Sequence, residues 1–368
     1  MSLTLANGSR FLLADLTGDI ANIPNTYGYV NQLNLFRSVP TSQTSVLLDI
    51  TDYGISLLDP VDRDTRNAES SAPESLRQVA FPLIYFKHIE SITPEQVQGI
   101  RQAGTAAELT TEAMVRARKL QKIRMTHDIT KEFLLMQALK GKVVDSKGFL
   151  WADMYQTFGV EKKTVYFDLE NPDADIDGAI DELVEHMEDT ANTGGLTNGE
   201  QIIVLVDRAF FRKLTGHAKV REAYMAQQAV SSYGLITGSL KTGRSDGVAT
   251  ATNEFPYRGV VFRQYNGKFT DKRNTVHKLV GINGVEDSVG VGHAFPNTAM
   301  LGEANDLYQI SYGPANKMGY VNTLGQDLYV FEYAKDRDEG TDFEAHSYMM
   351  PICTRPQLLV DVRADKAS

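Results

Sequence analysis

The longest helical pattern in the chain runs from Thr111 to Gly141. From Thr111 onward no Gly or Pro occurs before Gly141, which predicts one uninterrupted helix that ends at this glycine. At about 1.5 Å per residue this helix is roughly 45 Å long. Ahead of it, the capping pattern Thr93-Pro94-Glu95-Gln96 predicts a short helix. The apolar stripe of the long helix is thin: Leu109, Ala113, Ala117, Leu120, Ile123, Leu134 and Ala138, with His127 in line.

A helix that is buried against one domain shows a broader apolar face, so the thin stripe leaves two interpretations open. In the first, the helix lies on the surface and its charged face is solvated. In the second, it is a strut that contacts its own domain on one side and neighbouring subunits elsewhere. Three basic residues are candidates for those contacts between subunits: Arg116, Arg118 and Lys122.

Two stretches of alternating hydrophobic residues, 44–58 and 77–86, predict the strands of a long hairpin. The segment between them is polar. An isolated two-stranded ribbon is only marginally stable in water, so we expect a partner surface to hold this one. The tip is expected to meet complementary charge on that partner through Asp62, Arg63, Asp64 and Arg66.

Residues 1–40 carry Gly, Asn, Pro and Thr among two apolar clusters, Phe11-Leu12-Leu13 and Leu33-Asn34-Leu35-Phe36. This pattern predicts an extended arm with short turns, which needs another surface to lie on. The candidate docking residues of the arm are Phe11, Leu12 and Phe36.

The rest of the chain mixes helix and strand patterns, which predicts an α+β fold. A tight hairpin is indicated around Asp145-Ser146-Lys147, and the run 201–206, which is apolar from Ile202 onward, predicts a buried central strand. Helices are expected at 177–190 and 209–228. Further strands are expected at 163–169, 259–265, 276–282 and 328–333, and at the end of the tail.

Composition narrows the function classes. A chain of 368 residues is longer than most single cores, so two or more lobes are expected. The net charge of −10 argues against a grip on nucleic acid by phosphate neutralisation. A single cysteine, Cys353, excludes an intramolecular disulfide framework. No apolar run is long enough for a membrane span and no signal peptide is evident, which predicts a reducing, aqueous compartment.

Motifs for catalysis are weak. Gly243-Arg244-Ser245-Asp246-Gly247 matches the nucleophile-elbow pattern, but it lies in a polar loop instead of between a strand and a helix. Glu182 and His186 could place two metal ligands on one helix face, yet no third ligand is indicated. Gly290-Val291-Gly292 lacks the third glycine of a dinucleotide site. We therefore predict no catalytic, cofactor-binding or metal site, and no enzyme activity.

The order of these segments resembles the major capsid proteins of tailed phages, the Hong Kong 97-type fold, and more closely the phage lambda-like capsid protein E family. The resemblance extends over about residues 30–362. It is carried by 133–148, where Ala138-Leu139-Lys140-Gly141-Lys142 closes the long helix, by Val206-Asp207-Arg208-Ala209-Phe210-Phe211 and by Thr354-Arg355-Pro356-Gln357.

The resemblance implies a domain plan: an N-terminal arm (1–40), an E-loop (41–90), a peripheral domain with the spine helix and sheet (91–170), an axial domain (171–334) and a return to the peripheral domain (335–368). It implies many copies of the chain, as pentamers and hexamers, in an icosahedral virion shell. The shell would enclose double-stranded DNA without sequence-specific binding and without a membrane, and it would be assembled in the host cytoplasm. No helical extension precedes the arm, so a scaffold is expected to be a separate protein, as is a portal; the resemblance also leaves room for a decoration protein.

Two other functions stay open on the sequence. A cellular nanocompartment of the encapsulin type would use the same fold around protein cargo. An α/β hydrolase would use Ser245.

The resemblance also raises the question of covalent cross-links, because some relatives join an E-loop lysine to an asparagine of a neighbour. The first lysine of this chain is Lys87, at the base of the returning strand. Every earlier cation is an arginine, whose guanidinium stays protonated and cannot attack. We therefore predict a shell without covalent cross-links.

Overall fold

The structure is a computed structural model that describes residues 28–52, 75–98, 111–145, 148–191, 202–223, 254–270, 276–280, 290–298 and 307–366. Candidates outside the described residues are Phe11, Leu12, Asp62, Arg63, Asp64, Arg66 and Ser245. The helices are α1 (Tyr29–Gln32), α2 (Glu112–Leu139), α3 (Met154–Phe158), α4 (Ile176–Ala191) and α5 (Arg208–Gly216). The strands are β1 (Arg37–Pro40), β2 (Ser45–Asp52), β3 (Ser75–Pro82), β4 (Ile84–Ile92), β5 (Lys142–Val144), β6 (Leu150–Asp153), β7 (Lys163–Tyr166), β8 (Ile202–Val206), β9 (Glu254–Tyr257), β10 (Val260–Gln264), β11 (Lys268–Thr270), β12 (Val276–Lys278), β13 (Val291–Pro296), β14 (Tyr308–Tyr312), β15 (Tyr329–Ala334), β16 (Thr341–Cys353) and β17 (Val360–Arg363).

The long helix α2 begins and ends where the sequence predicts. The Thr111 hydroxyl accepts a hydrogen bond from the Met114 amide at 3.4 Å and so caps the first turn. Gly141 follows the last turn with φ +76°, and a Cβ there would lie 2.3 Å from the Tyr155 ring. Only glycine fits this position. The predicted short helix ahead of α2 is instead a single 3₁₀ turn, Pro94–Gln96, without a side-chain cap.

Burial along α2 differs from the predicted thin stripe. In its first half, one face packs through Val115, Leu120 and Ile123 against apolar residues of β4, β15 and β16. In its last two turns every side is covered, because α1, the β5–β6 hairpin and β16 all contact the helix there. The residues buried in these turns are Glu132, Phe133, Leu134, Leu135, Met136, Gln137, Ala138 and Leu139.

A five-stranded sheet, here called the first sheet, is built around β16. This strand pairs antiparallel with β4, β14 and β15, and β1 adds to β14 in parallel. β16 has no counterpart among the strands predicted from the sequence. Its 13 residues include polar side chains and Pro351, which interrupt the alternation that identifies a strand.

The predicted long hairpin is confirmed for the residues described. β2 pairs antiparallel with β3 from Ser45↔Pro82 to Asp52↔Ser75. The second strand continues after Leu83 as β4 and enters the first sheet. At the base of the hairpin, Val46 and Phe81 are buried in the core of their own subunit. This part of the ribbon is therefore held from within the chain.

A six-stranded sheet, here called the second sheet, has the strand order β7-β17-β13-β8-β10-β9. Every residue of β8 is buried, and the strand lies between β13 and β10, so the predicted central strand is confirmed. Helices α4 and α5 pack their apolar faces on this sheet. The predicted helix 209–228 is wrong in one respect, because His217 is extended and separates α5 from the helical residues 218–223.

The expected free arm is wrong for residues 28–40. Leu35 is fully buried in the core of its own subunit, and the ring of Phe36 packs on Tyr308 at 5.4 Å. β1 then pairs with β14 from Arg37↔Gln309 onward. Phe36 therefore has a partner within its own chain, which the local sequence does not indicate.

The sheets also cut across the predicted domain limits. β7 and β17, which fall in the ranges predicted as peripheral, belong to the second sheet. β14 and β15, which fall in the predicted axial range 171–334, belong to the first sheet. Strands far apart in sequence pair with one another here, and periodicity carries no information about such pairing.

Phe343 tests the packing of α2 on the first sheet. Its side chain is fully buried in the cluster that joins the two, so Phe343→Ala should lower the free energy of unfolding by about 3–5 kcal/mol. The matched control is Phe149→Ala, because Phe149 is 60% exposed and should cost less than about 1 kcal/mol. Urea unfolding of the unassembled subunit measures both, and equal losses would contradict this packing.

Candidate assembly surfaces

The basic residues of α2 that the sequence analysis proposed as subunit contacts differ in their surroundings. Arg116 forms a bidentate pair with Glu332 of β15, at 3.2 and 2.8 Å. Lys122 pairs with Glu90 of β4 at 2.5 Å. Arg118 is exposed, and no ion pair involving it is found among the described residues. Of these three candidates, Arg118 is thus the one whose charge is directed to solvent.

Glu90 shows how strongly α2 is attached to the first sheet. It is 8% exposed and accepts a hydrogen bond from Lys119 at 2.9 Å in addition to the pair with Lys122. Burial alone would raise the pKa of Glu90, but the two lysines outweigh this effect and lower it to about 2. These charges stabilise the subunit itself.

A second ionic cluster fixes the middle of α2 to the segment before β15. Asp327 lies 3.2 Å from His127 Nε2, 3.1 Å from Lys131 Nζ and 3.7 Å from Arg124. Burial opposes ionisation of Asp327, but the hydrogen bond and charge of His127, with the two other cations, hold its pKa well below the usual range. The basic residues beside the apolar stripe thus have a partner inside the subunit, and His127 is a packed histidine.

Glu344 organises the opposite face of the first sheet. It pairs with Lys87 of β4, with Lys317 at 2.7 Å and with His346 at 3.1 Å. Burial alone would raise the pKa of Glu344, but hydrogen bonds from Lys317 and Lys87 lower it to about 2. Lys87, the first lysine of the chain, is therefore held in an ion pair of its own subunit.

Glu132 of α2 anchors the start of the described chain. Its carboxylate is fully buried and accepts hydrogen bonds from the amides of Val30 (2.7 Å) and Asn31 (3.0 Å) and from the Tyr265 hydroxyl (2.7 Å). Burial raises the pKa of Glu132, although these donors oppose the shift. Gly28 has φ +109°, and a Cβ there would lie 3.0 Å from Glu132 Oε2. The point at which residues 1–27 join the body is thus fixed, and no local sequence signal reveals it.

The residues that could suggest catalysis are engaged in structural contacts. His293 and Asp361 are 2.7 Å apart, but the other ring nitrogen of His293 lies 2.9 Å from the Val280 carbonyl oxygen. Glu182 pairs with Lys163 at 2.5 Å, and His186 contacts the Gln357 carbonyl oxygen at 3.2 Å. Among the described residues, no three metal-ligating side chains converge.

Asp361 also joins the end of α2 to the second sheet. Lys162 lies 2.7 Å from Asp361 Oδ2 and donates to the Lys140 carbonyl at 3.3 Å. Burial lowers the pKa of Lys140 to about 7, and the nearby Lys162 charge adds to this effect.

No helix in the described part of the chain is long and apolar enough to cross a membrane.

Comparison with known proteins identifies the family. Residues 13–364 match the family described as phage major capsid protein E. The chain belongs to this family. The major capsid protein of Salmonella phage Felix O1 (isolate Felix O1-VT1) is 66% identical over 363 residues, which cover 99% of each chain. The major capsid protein of Pseudomonas phage KPP10 is 30% identical over 367 residues, which cover 97% of each chain.

Solved structures confirm the Hong Kong 97-type fold that the sequence predicts. A chain from the mature capsid of bacteriophage PhiM1 aligns with a TM-score of 0.50 at 10% identity, covering 94% of this chain and 90% of that one. A chain from a prophage of E. coli CFT073, solved as a candidate capsid protein, aligns with a TM-score of 0.55 at 14% identity, covering 96% and 98%. At these identities the structures show the fold alone. The curated relatives identify a structural protein of the virion capsid that assembles with itself into a shell, and neither the nanocompartment nor the hydrolase is favoured.

The lowered pKa of Glu344 predicts how the free energy of unfolding of the subunit depends on pH. Its pKa in the folded subunit is below the unfolded value, so its contribution is present above about pH 4.5 and is lost as the pH falls toward 2. Glu344→Gln should lower the stability at pH 7 by about 1–3 kcal/mol and flatten the decline between pH 4.5 and 2. Urea midpoints at several pH values measure both effects. The exposed Glu339→Gln is the control, and an unchanged acid profile in Glu344→Gln would contradict the assignment.

Proposed function

We propose that this capsid protein closes, in many copies arranged as pentamers and hexamers, into an icosahedral shell around double-stranded DNA. The observation that carries the proposal is the match, at 66% identity over 99% of both chains, to a phage major capsid protein. Since residues 13–364 match the capsid family, the likeness extends over both sheets and is not limited to one motif.

The described body supports a shell in which neighbours are joined by projecting segments. The arm joins the body at Gly28, which Glu132 and α1 hold in place. The hairpin leaves the body through β2 and returns through β3, whose base is buried in the core. Fixed exit points of this kind let a segment of a subunit reach the same place on its neighbour each time. The arm residues Phe11 and Leu12, the tip residues Asp62, Arg63, Asp64 and Arg66, and Arg118 on α2 remain our proposed contacts.

We assign the domains by sheet. The peripheral domain would comprise α2 and the first sheet, including β14 and β15, and the axial domain would comprise the second sheet with α4 and α5. This revises the predicted limit at residue 334, because β15 ends there but pairs with β16. Of the predicted E-loop 41–90, residues 41–83 keep this assignment, and residues 84–90 pass to the peripheral domain because they form part of β4.

The proposed partners follow from the function. The net charge of −10 supports DNA that is enclosed without sequence-specific binding. We propose assembly in the host cytoplasm, with a scaffold and a portal as separate proteins; a decoration protein would bind to the finished shell.

Truncation of the arm tests the shell. The full chain and a chain that lacks residues 1–27 are each expressed with the scaffolding protein of the phage. The full chain should form closed particles. The truncated chain should not, because it lacks the apolar residues that we propose the arm buries on a neighbour, worth about 1.5–3 kcal/mol each at every subunit. Sedimentation and negative-stain microscopy measure the particles.

The cut is placed at residue 27 because Val30 and Leu35 belong to the core and β1 pairs with β14, so the truncated subunit should keep the urea midpoint of the full chain. Normal shells from the truncated chain would refute the role of the arm. A full chain that stays monomeric under all assembly conditions would refute the proposed function itself.

The second test concerns covalent bonds. Boiled particles should run on a denaturing gel as one band near 40.8 kDa, because Lys87 is paired with Glu344 in its own subunit and all earlier cations are arginines. A ladder of multimers that survives reductant, and that disappears in Lys87→Arg, would contradict this prediction.

A further inference from the structure

The loop between β14 and β15 presents an unusually apolar surface. Residues 316–325, here called the tip loop, include three of the most exposed hydrophobic side chains in the described part of the chain: Met318 (92%), Leu324 (65%) and Val321 (58%). These three residues follow one another at intervals of three in the chain, and grouped exposed apolar side chains mark surfaces that bind a partner.

The tip loop is held in one conformation. The Tyr320 ring packs on Tyr329 at 5.2 Å and on Phe331 at 5.5 Å. The Tyr329 hydroxyl accepts from the Gln326 amide at 2.9 Å and donates to the Leu324 carbonyl at 3.3 Å. A loop that is ordered before it binds loses little conformational entropy on binding.

At the base of the tip loop, Gly325 packs tightly against the neighbouring backbone. The Gly325 amide donates to the Thr41 carbonyl at 3.0 Å. A Cβ at Gly325 would lie 2.1 Å from the Tyr312 carbonyl oxygen. The exposed side chains are therefore supported by rigid backbone contacts with the rest of the first sheet.

The tip loop is also free of charge at its exposed end. Residues 318–326 contain no Asp, Glu, Lys, Arg or His. The charged residues on either side face inward: Lys317 pairs with Glu344 at 2.7 Å, and Asp327 lies in the cluster with Lys131 and Arg124. The surface offered to a partner is thus neutral, and its apolar side chains lie among the uncharged polar residues Asn322, Thr323 and Gln326.

A neutral apolar surface suits one kind of contact in a symmetric shell. Around a rotation axis each side chain faces copies of itself, so a charged residue meets like charge and repels it. We propose that Met318, Val321 and Leu324 of neighbouring copies meet around a rotation axis of the shell. The partner of the tip loop is thus the same loop on other copies of this chain, an inference that rests on the shell function proposed above.

Paired charge variants test contact between like loops. Met318→Glu and Met318→Lys are each expressed alone and then together, with the wild-type chain in parallel. Each variant alone should reduce the yield of closed particles at least about tenfold, because like charges meet at the axis. Expressed together they should recover most of the yield, because Glu then faces Lys. Both variant subunits should keep the wild-type urea midpoint, since Met318 is almost fully exposed.

The outcomes separate this inference from the shell function. If the loop instead contacts a different surface, one sign of charge should be tolerated better and co-expression should give only the average of the two yields, which would overturn the proposal. Full yield from each variant alone would also overturn it and would leave the shell function standing. Loss of particles from the wild-type chain would refute the shell function and not the loop contact alone.

Chemical cross-linking gives a second measurement. Cys353 is the only cysteine and is fully buried, so Met318→Cys introduces the one accessible thiol of the chain. A short bis-maleimide should then produce covalent multimers in assembled particles and none in unassembled subunits. Absence of multimers in intact particles would overturn the contact between tip loops.

Discussion

The pairing of β16 with its neighbours is the constraint on which the rest of the subunit depends. One strand of 13 residues joins β4 from the hairpin, β14 beside the described start of the chain, and β15 after the tip loop. Its apolar residues Phe343 and Ala345 receive α2, and Glu344 on the other face holds Lys87 and Lys317. Hairpin, helix and tip loop therefore have fixed relative positions because they share this strand.

Apolar packing and ion pairs together hold α2 on the first sheet. The first half of the helix is covered on one face only, and Glu90, Asp327 and Glu332 each bind basic residues of this half or of the middle turns. Partly buried pairs of this kind depend on geometry more than exposed ones do, so they specify one position of the helix on the sheet. The last turns need no such help, because they are surrounded by protein.

The sequence reveals the local features and misses the distant ones. Thr111 and Gly141 mark α2, Asp145 marks the short hairpin and the apolar run of β8 marks a buried strand, since each signal lies within a few neighbouring residues. β16 cannot be recognised from the sequence, because its polar residues and Pro351 interrupt the alternation of apolar and polar positions. The burial of Leu35 and the partners of Arg116, Lys122 and Glu132 depend on residues far away in the chain, and a pattern along one sequence does not encode them directly.

The contact between Gly28 and Glu132 makes the start of the described chain depend on a residue of α2. Gly28 has a left-handed backbone with an added Cβ only 3.0 Å from the carboxylate, and that carboxylate holds the amides of α1. A Cβ at residue 28 would crowd the carboxylate, and loss of the carboxylate would leave the amides of Val30 and Asn31 without this acceptor. The root of the arm is therefore built as one unit from two segments that lie far apart in the sequence.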